Sequence, residues 1–202
     1  MKSTVVTKAT VVTPWHNTYQ RDLFLDAWQL VGDEPFLHLQ QDTDKSGCAR
    51  TKNAGIEAAV ADGAATIIIL DDDCFPTPEM EEGSDSPMRT LINQHLKALE
   101  PQEVGMFATV TDPPSRGTPY HNRTLKMRVA ASMGFWTEVG DYDAVSQLVH
   151  GPTNPMRFHT DPLWGPYFPL CGMNLAFRVE ELPWAYFVNV PRFDDIWQGF
   201  LW

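Results

Sequence analysis

Three consecutive carboxylates, Asp71, Asp72 and Asp73, follow an apolar and largely β-branched run at 67–70. Such a run is typical of a strand that is buried on both faces of a parallel sheet. Open α/β sheets bind ligands outside the carboxyl ends of their strands, which is where these acids would lie. Adjacent carboxylates repel one another, and a hard cation such as Mg²⁺ or Mn²⁺ removes the repulsion. The pattern indicates a site for a metal ion and a diphosphate; the alternative is a solvated acidic loop.

The elements that must position these acids alternate between strands and helices. They are expected to be a strand at 10–13 that ends at Pro14, a helix capped by Asn17 or Thr18, a strand at 36–40, a helix that opens at 47–55, and a strand at 66–70. The first helix should bury an apolar stripe made of Leu23, Ala27, Trp28, Leu30 and Val31. A β-α-β-α-β order implies right-handed crossovers between parallel strands.

The rest of the chain is expected to extend the same sheet. A helix should begin at Ser86 and end at Pro101, with His95 in its apolar face. The other expected elements are a mobile acidic loop at 79–86 and strands at 104–110, 125–133 and 171–177. The last strand has an internal glycine, which suggests a close backbone approach. We therefore predict a single α/β domain over 1–202, with a Rossmann-like, mostly parallel central sheet flanked by helices.

Any phosphate-binding site in this chain must use a structural element other than the common glycine-rich loops. The chain has neither a GxGxxG nor a GxxxxGK[ST] sequence, and its six histidines show no HxxxH or HExxH spacing. Arg50 and Lys52 could donate charge-assisted hydrogen bonds to a diphosphate, or could lie on a solvated helix face. A metal ion at Asp71 and Asp73 is the natural candidate for handling the phosphates.

Composition limits the class of protein. A chain of 202 residues that is 43% hydrophobic can form one domain with a substantial core. A formal net charge of −11 gives no general attraction to nucleic acid or to an anionic membrane. No apolar run is long enough to cross a bilayer, no signal peptide is evident, and three widely spaced cysteines favour a reducing compartment. We expect a cytoplasmic protein without a membrane partner, for which nucleic acid is a disfavoured partner and a homo-oligomer is an open option.

Several stretches resemble the plant reversibly glycosylated polypeptides, also known as UDP-arabinopyranose mutases, and more broadly the metal-dependent glycosyltransferases of the GT-A fold. The stretches are LDDDCF at 70–75, GFW at 134–136, DYDA at 141–144, QLV at 147–149, FPLCGMNLAF at 168–177 and RFDDIWQG at 192–199. They occur in the order found in the family. The N-terminal third is similar to GT-A enzymes only in general features, through Asp42 and the ARxxNxG pattern at 49–55.

The resemblance implies a UDP-sugar ligand, with a nucleotide-binding half at 1–110 and a sugar or acceptor half at 111–202. Asp71 and Asp73 would hold Mn²⁺ or Mg²⁺ against the diphosphate, where the ion acts as a Lewis acid and a template. The residues implied to contact the nucleotide and its sugar are Asp42 at the base, Arg50 and Asn53 in the nucleotide cleft, Asp72 beside the metal, and Asn174.

The resemblance also implies the residues that perform the chemistry. Asp194 and Asp195 would face the sugar and the acceptor, where one of them stabilises an oxocarbenium-like centre or serves as a base; a helix cap is the alternative. Arg123 occupies the position that becomes glycosylated in the family. The family continues beyond this length and includes a histidine expected near the metal, so we expect either a minimal domain or a truncated one with an incomplete metal shell.

Three functions stay open at this point. The first is a metal-dependent glycosyltransferase or mutase-like enzyme that interconverts the ring forms of a UDP-pentose. The second is a glycosyltransferase that acts on a separate acceptor, which could be a protein, a small molecule or a phage-type modified DNA base. The third is a self-glycosylated protein that binds a sugar nucleotide without turnover. The residues at 150–168 diverge from the family, so the preference for sugar or acceptor cannot be carried over.

Overall fold

A computed structural model describes residues 8–83, 85–99, 131–134, 148–149, 170–182, 185–190 and 193–201, together with the backbone of 107–111 and 158–162. Its elements in chain order are β1 (Ala9–Trp15), α1 (Thr18–Ala27), β2 (Leu37–Gln41), α2 (Cys48–Ala61), β3 (Thr66–Leu70), α3 (Pro78–Glu81), α4 (Pro87–Ala98), β4 (Phe107–Thr111), β5 (Ala131–Met133), β6 (Phe158–Pro162), β7 (Asn174–Arg178) and α5 (Asp194–Leu201). The expected α/β class is confirmed.

The seven described strands form one mixed sheet in the order β2-β1-β3-β7-β5-β4-β6. The pairs β1–β2, β1–β3 and β4–β5 are parallel, whereas β3–β7, β5–β7 and β4–β6 are antiparallel. The prediction of a mostly parallel sheet is therefore right for β1, β2 and β3. It is wrong for the seven described strands together, because half of their pairs are antiparallel. A helical crossover keeps neighbouring strands parallel, as α1 and α2 do, but β7 enters between β3 and β5 in the opposite direction.

Local sequence signals explain most of the boundaries. Asn17 caps α1 by accepting a hydrogen bond from the Tyr19 N–H at 2.9 Å, and the Ser86 hydroxyl caps α4, as expected. β1 continues through Pro14 past the residues that pair with β3, so the proline lies where the strand is bonded only to β2. The predicted acidic loop contains the short helix α3, because Pro78 suits a first helical turn.

The buried face of α1 differs from the predicted stripe. Phe24 and Trp28, one helical turn apart, are buried, whereas the side chains of Leu23 and Val31 are 38% and 83% exposed. The helix ends at Ala27, so Val31 lies beyond it and does not continue its face. The prediction is confirmed for Trp28 and wrong for Leu23 and Val31; at Val31 it failed because it extended the helical period past the true end of α1.

Helices cover both faces of the sheet. Ile67 and Ile69 of β3 pack on the side of α2, and Ile68 and Leu70 pack on the side of α1 and α4. Gly55 allows α2 to approach closely, because a Cβ at this position would lie 2.4 Å from a methyl group of Val12. Since β3 is buried along its whole length, its carboxyl end is a fixed platform for the residues that follow.

Candidate functional site

A cleft of about 180 Å³ opens at the carboxyl ends of β1, β2 and β3. Its lining residues are Pro14, Trp15, His16, Asp42, Cys48, Thr51, Asp71, Asp72 and Asp73. Asp42 follows β2, and the acidic turn, which we define as residues 71–73, follows β3. Because parallel strands end at one edge of a sheet, the fold brings together four carboxylates that the sequence singled out.

The acidic turn is anchored through its backbone. The Cys74 N–H donates to the Asp71 carbonyl oxygen at 3.0 Å and closes the turn. From α1, the Gln20 side chain donates to the Asp72 carbonyl oxygen at 3.0 Å. The indole N–H of Trp28, which caps the same helix, donates to the Cys74 carbonyl oxygen at 2.7 Å. The carboxylates therefore project from a backbone that is held by α1.

Lys52 is buried beside the acidic turn. Its Nζ lies 2.9 Å from Oδ1 and 3.1 Å from Oδ2 of Asp71, and it donates to the Gly172 carbonyl oxygen at 2.8 Å. The sequence left open whether Lys52 contacts a ligand or lies on a solvated helix face, and its 3% exposure rules out the solvated face. Lys52 lies three residues after Ala49 and four before Ile56, which are both buried, and this helical spacing is the signal that could have indicated its burial.

Asp195 joins the same set of contacts through Gly172. The Gly172 N–H donates to Asp195 Oδ2 at 3.1 Å. A Cβ on Gly172 would lie 2.9 Å from the Phe187 ring and 3.1 Å from the Cβ of Asp195, so the close approach suggested by the internal glycine is confirmed. We call Lys52, Asp71, Gly172 and Asp195 the charged cluster.

The acids around the charged cluster carry a surplus of negative charge. Burial raises the pKa of Asp71, and the opposing attraction of Lys52 does not cancel this effect. Burial, then Asp73 and Asp71, raise the pKa of Asp72; burial also raises the pKa of Asp194 against the attraction of Lys52. Burial alone would lower the pKa of Lys52, but Asp71 reverses this effect and raises it, so Lys52 is protonated. Each raised carboxyl pKa reports an anion that an added cation would stabilise.

Asp194 and Asp195 lie in the first turn of α5, where the helix dipole favours carboxylates. Asp195 is engaged with backbone, since it also accepts from the Ile196 N–H at 2.8 Å. Asp194 is half-buried and close enough to Lys52 and Asp71 to shift the pKa of both. The predicted acidic pair thus reaches the acidic turn, and its two members have different surroundings.

Asp42 organises the turn that precedes α2. Its Oδ1 accepts from the Ser46 N–H at 2.7 Å and from the Ser46 hydroxyl at 3.1 Å, and its Oδ2 accepts from the Gly47 N–H at 3.3 Å. Desolvation would raise the pKa of Asp42, but these hydrogen bonds outweigh it and lower the pKa. Asp42 therefore presents an ionised carboxylate to the cleft.

Arg50 and Asn53 hold the segment 185–190 against α2. The Asn53 amide donates to the Phe187 carbonyl oxygen at 2.9 Å and accepts from the Phe187 N–H at 2.7 Å. Arg50 Nε and Nη2 lie 3.1 Å from the side-chain amide of Asn189, whose oxygen accepts both hydrogen bonds in the orientation that satisfies them. Neither residue lines the cleft formed by the described residues, so their contact with a nucleotide stays a prediction.

A second polar cluster lies on the opposite face of the sheet. His95 Nε2 lies 2.7 Å from Asn174 Oδ1, and His95 Nδ1 lies 3.0 Å from Ser132 Oγ. The acceptor oxygen of Asn174 requires the ring proton on Nε2, so Ser132 donates its hydroxyl proton to Nδ1. Burial lowers the pKa of His95 to about 4, which leaves the ring uncharged at neutral pH. We call His95, Ser132 and Asn174 the neutral cluster. From the sequence, His95 was expected only in the apolar face of its helix, and Asn174 was expected at the nucleotide.

The chemistry of the acidic turn suits a divalent cation. Its donors are carboxylate oxygens, which Mg²⁺ and Mn²⁺ prefer, and Asp72 Oδ2 is buried without a hydrogen-bond partner among the described residues. No group of three or more His, Cys, Asp or Glu side chains in the described part of the chain is arranged to hold a metal ion. A metal ion held from the acidic turn would keep open positions for water or phosphate oxygens, as is common for Mg²⁺. Arg123, the expected glycosylated position, lies outside the described residues.

The model of the reversibly glycosylated polypeptide family matches residues 62–200 of this sequence. The chain belongs to the reversibly glycosylated polypeptide family. The matched range contains the acidic turn, the neutral cluster, and every member of the charged cluster except Lys52. Asp42, Arg50 and Asn53 precede it. The resemblance to this family, stated from the sequence, is confirmed.

Three plant proteins illustrate the similarity within the reversibly glycosylated polypeptide family. The chain is 36% identical over 152 residues to a probable UDP-arabinopyranose mutase 1 of Pisum sativum, 35% identical over 154 residues to UDP-arabinopyranose mutase 3 of Arabidopsis thaliana, and 34% identical over 151 residues to UDP-arabinopyranose mutase 1 of Oryza sativa subsp. japonica. Each match covers 66% of this chain and 40% of the relative. The chain thus spans about 40% of the length of these relatives. None of its described helices is long and apolar enough to cross a membrane.

Proposed function

We propose that this member of the reversibly glycosylated polypeptide family is a metal-dependent enzyme that acts on a UDP-sugar in the cytoplasm, with a sheet of the GT-A type. The observation that carries the proposal is the convergence of Asp42 and the acidic turn at the ends of three neighbouring parallel strands. A nucleoside diphosphate has a base at one end and a charged diphosphate at the other. The cleft offers a polar carboxylate for the base and a metal-binding turn for the diphosphate.

The metal ion would be Mn²⁺ or Mg²⁺, held from the acidic turn. When bound, it supplies the positive charge that makes a nucleoside diphosphate a good leaving group. The surplus of carboxylates around the charged cluster, with raised pKa values at Asp71, Asp72 and Asp194, supports this part of the proposal.

Asp194 is the proposed acid–base residue on the sugar side of the cleft. It is half-buried, its pKa is raised by burial, and it neighbours the Lys52–Asp71 pair. A carboxyl group with a raised pKa exchanges protons more readily near neutral pH than an exposed one. Asp195 supports the loop at Gly172 and is the poorer candidate for direct proton transfer, because both of its oxygens accept backbone hydrogen bonds.

A mutase is favoured over transfer to a separate acceptor because the three relatives described above are named UDP-arabinopyranose mutase or probable UDP-arabinopyranose mutase. In a mutase, the bond between the sugar and the diphosphate breaks, the ring changes size, and the same diphosphate bonds again to the sugar. A cleft that keeps the diphosphate bound through these reaction steps needs both the metal and a fixed acidic turn. The hydrogen bonds from Gln20 and Trp28 fix the acidic turn.

Calorimetric titration of UDP into the protein, with and without Mn²⁺, tests the proposed site. We expect binding that depends on Mn²⁺ in the unmodified protein and that is lost in Asp72→Asn with Asp73→Asn. Asp33→Asn, at an exposed position away from the cleft, is the matched control and should bind as the unmodified protein does. Undiminished metal-dependent affinity in the double variant would refute the assignment of the site.

Product analysis then separates the two reactions. The protein is incubated with UDP-arabinopyranose and Mn²⁺, and the nucleotide sugars are resolved by NMR. Appearance of the furanose form supports the mutase. Release of UDP with sugar on a protein or small-molecule acceptor supports transfer, and binding without either product supports a non-catalytic sugar-nucleotide-binding protein.

A further inference from the structure

Asp71 forms a buried ion pair with Lys52, although its Oδ1 accepts no hydrogen bond from the described residues. Lys52 Nζ lies 2.9 Å and 3.1 Å from the two oxygens, and the side chains of Lys52 and Asp71 are only 4% and 17% exposed. Lys52 is fixed in turn by the Gly172 carbonyl oxygen at 2.8 Å. The pair is therefore held from α2, from the end of β3 and from the turn that precedes β7.

The other two acids of the turn have no such partner among the described residues. Asp73 is exposed, and Asp72 carries a buried Oδ2 without a hydrogen-bond partner in the described part of the chain. Both line the cleft. Asp71 lines the cleft as well, but it is the one acid of the turn that forms an ion pair among the described residues.

We propose that Asp71 is committed to Lys52, so that the divalent cation is held from Asp72 and Asp73, and that Lys52 and Asp71 are positioning residues for the acidic turn. This inference rests on the proposed function, because it assumes that the turn binds a metal ion. It differs from the sequence-based expectation that Asp71 and Asp73 share the ion.

The physical reason is repulsion between cations. An ion coordinated by either Asp71 oxygen would lie within a few ångströms of the ammonium group in a site with little water, where like charges repel strongly. Lys52 has no room to retreat, because Gly172 and Phe187 pack against it. Asp72 and Asp73 form no ion pair with a lysine or arginine among the described residues, so a metal ion held by them displaces no ammonium group; His16 is the basic side chain that shares their cleft.

The test is a mutant cycle read out as Mn²⁺ affinity, measured from the electron paramagnetic resonance signal of free Mn²⁺ at pH 8, both without nucleotide and with saturating UDP. We expect Asp73→Asn to weaken binding at least tenfold and Asp71→Asn to weaken it less than threefold. Lys52→Met should strengthen binding at least threefold, because it removes a competing cation and releases Asp71. Adding Asp71→Asn to Lys52→Met should abolish that gain, so the effect of Asp71→Asn depends on Lys52.

Several outcomes would overturn the role inferred for Lys52 and Asp71 and leave the proposed function intact. One is an Asp71→Asn variant that loses as much Mn²⁺ affinity as Asp73→Asn. Another is a folded Lys52→Met variant whose affinity is unchanged or weaker, with Lys97→Met on the exposed part of α4 as the matched control. Circular dichroism establishes folding, and if Lys52→Met does not fold, the comparison of Asp71→Asn with Asp73→Asn decides. A wild-type protein that binds no Mn²⁺, alone or with UDP, overturns the proposed function as well.

Discussion

The two faces of the central sheet carry polar clusters of opposite character. The charged cluster lies on the α2 face and borders the cleft, whereas the neutral cluster lies on the α4 face. They meet near the start of β7, because Gly172 and Asn174 are two residues apart and belong to different clusters. The same region of the sheet is thus stabilised in two ways, by an ion pair beside the cleft and by an uncharged hydrogen-bond network on the opposite face.

The difference has a chemical reason. A buried ion pair is maintained only if both charges persist, and a ligand that carries charge can perturb it. A neutral histidine network has no net charge to respond to an approaching metal or diphosphate. We infer that the neutral cluster keeps β5 and β7 in place while the charge of the cleft changes.

The largest expected change in stability follows removal of the positive charge of Lys52 from the charged cluster. Lys52→Met should lower the free energy of unfolding by about 3–5 kcal/mol, because Asp71 is left buried without its partner. Urea unfolding followed by circular dichroism measures this change. The double variant Lys52→Met, Asp71→Asn should recover most of the loss, and Lys97→Met should stay within about 0.5 kcal/mol of the unmodified protein. Equal instability of the single and double variants would show that the ion pair is not the source of the effect.

The neutral cluster should respond to pH. The pKa of His95 is lowered to about 4 in the folded chain from an ordinary value of 6.5, so between these values the unfolded chain binds more protons. Stability is therefore complete above pH 6.5 and falls as the pH decreases toward 4, by up to roughly 3 kcal/mol from this residue.

The control for this pH dependence is His95→Gln. Asp71, Asp72 and Asp194 have raised pKa values and act in the opposite direction, since the folded chain then binds more protons than the unfolded one. The difference between the two unfolding profiles isolates the histidine. Parallel profiles for the unmodified protein and His95→Gln would contradict the neutral, buried state of the ring.

Removal of one hydrogen bond from the neutral cluster should have an intermediate effect. Ser132→Ala leaves the buried Nδ1 of His95 without a donor, which costs about 1–3 kcal/mol. Urea unfolding measures the loss, and Mn²⁺ affinity of the variant should be unchanged because the cluster lies behind the sheet. A loss of metal affinity comparable to that of Asp73→Asn would refute the separation of the two clusters.

The smallest expected effect on stability belongs to Asp73. Its side chain is exposed, so Asp73→Asn should change the free energy of unfolding by less than about 0.5 kcal/mol while it weakens Mn²⁺ binding. Thermal unfolding without metal measures the first quantity. A large destabilisation would place Asp73 in the structure of the turn and remove it from the proposed ligands.

Several parts of the fold follow from local sequence. The apolar run ending at Leu70 predicted β3 and its burial, and Ser86 followed by Pro87 predicted the start of α4. These two predictions are confirmed because the period of apolar residues and the capping of helix ends depend only on residues that are close in sequence. The orientation of β7 was not predictable in this way, because no crossover helix is required between strands that pair antiparallel.

The candidate site, like the fold, has features that local sequence predicts and features that depend on packing. The amino-acid sequence alone predicts that three acids follow a buried strand, that Asp42 follows another strand, and that the motifs belong to the reversibly glycosylated polypeptide family. Which of these acids forms an ion pair is visible only in the folded structure. Lys52 lies 19 residues before Asp71 and 120 before Gly172, and contacts over such separations depend on how helix and strands pack. Charge pattern along the chain specifies which groups are present, whereas packing specifies which of them are buried together and therefore which stay available for a ligand.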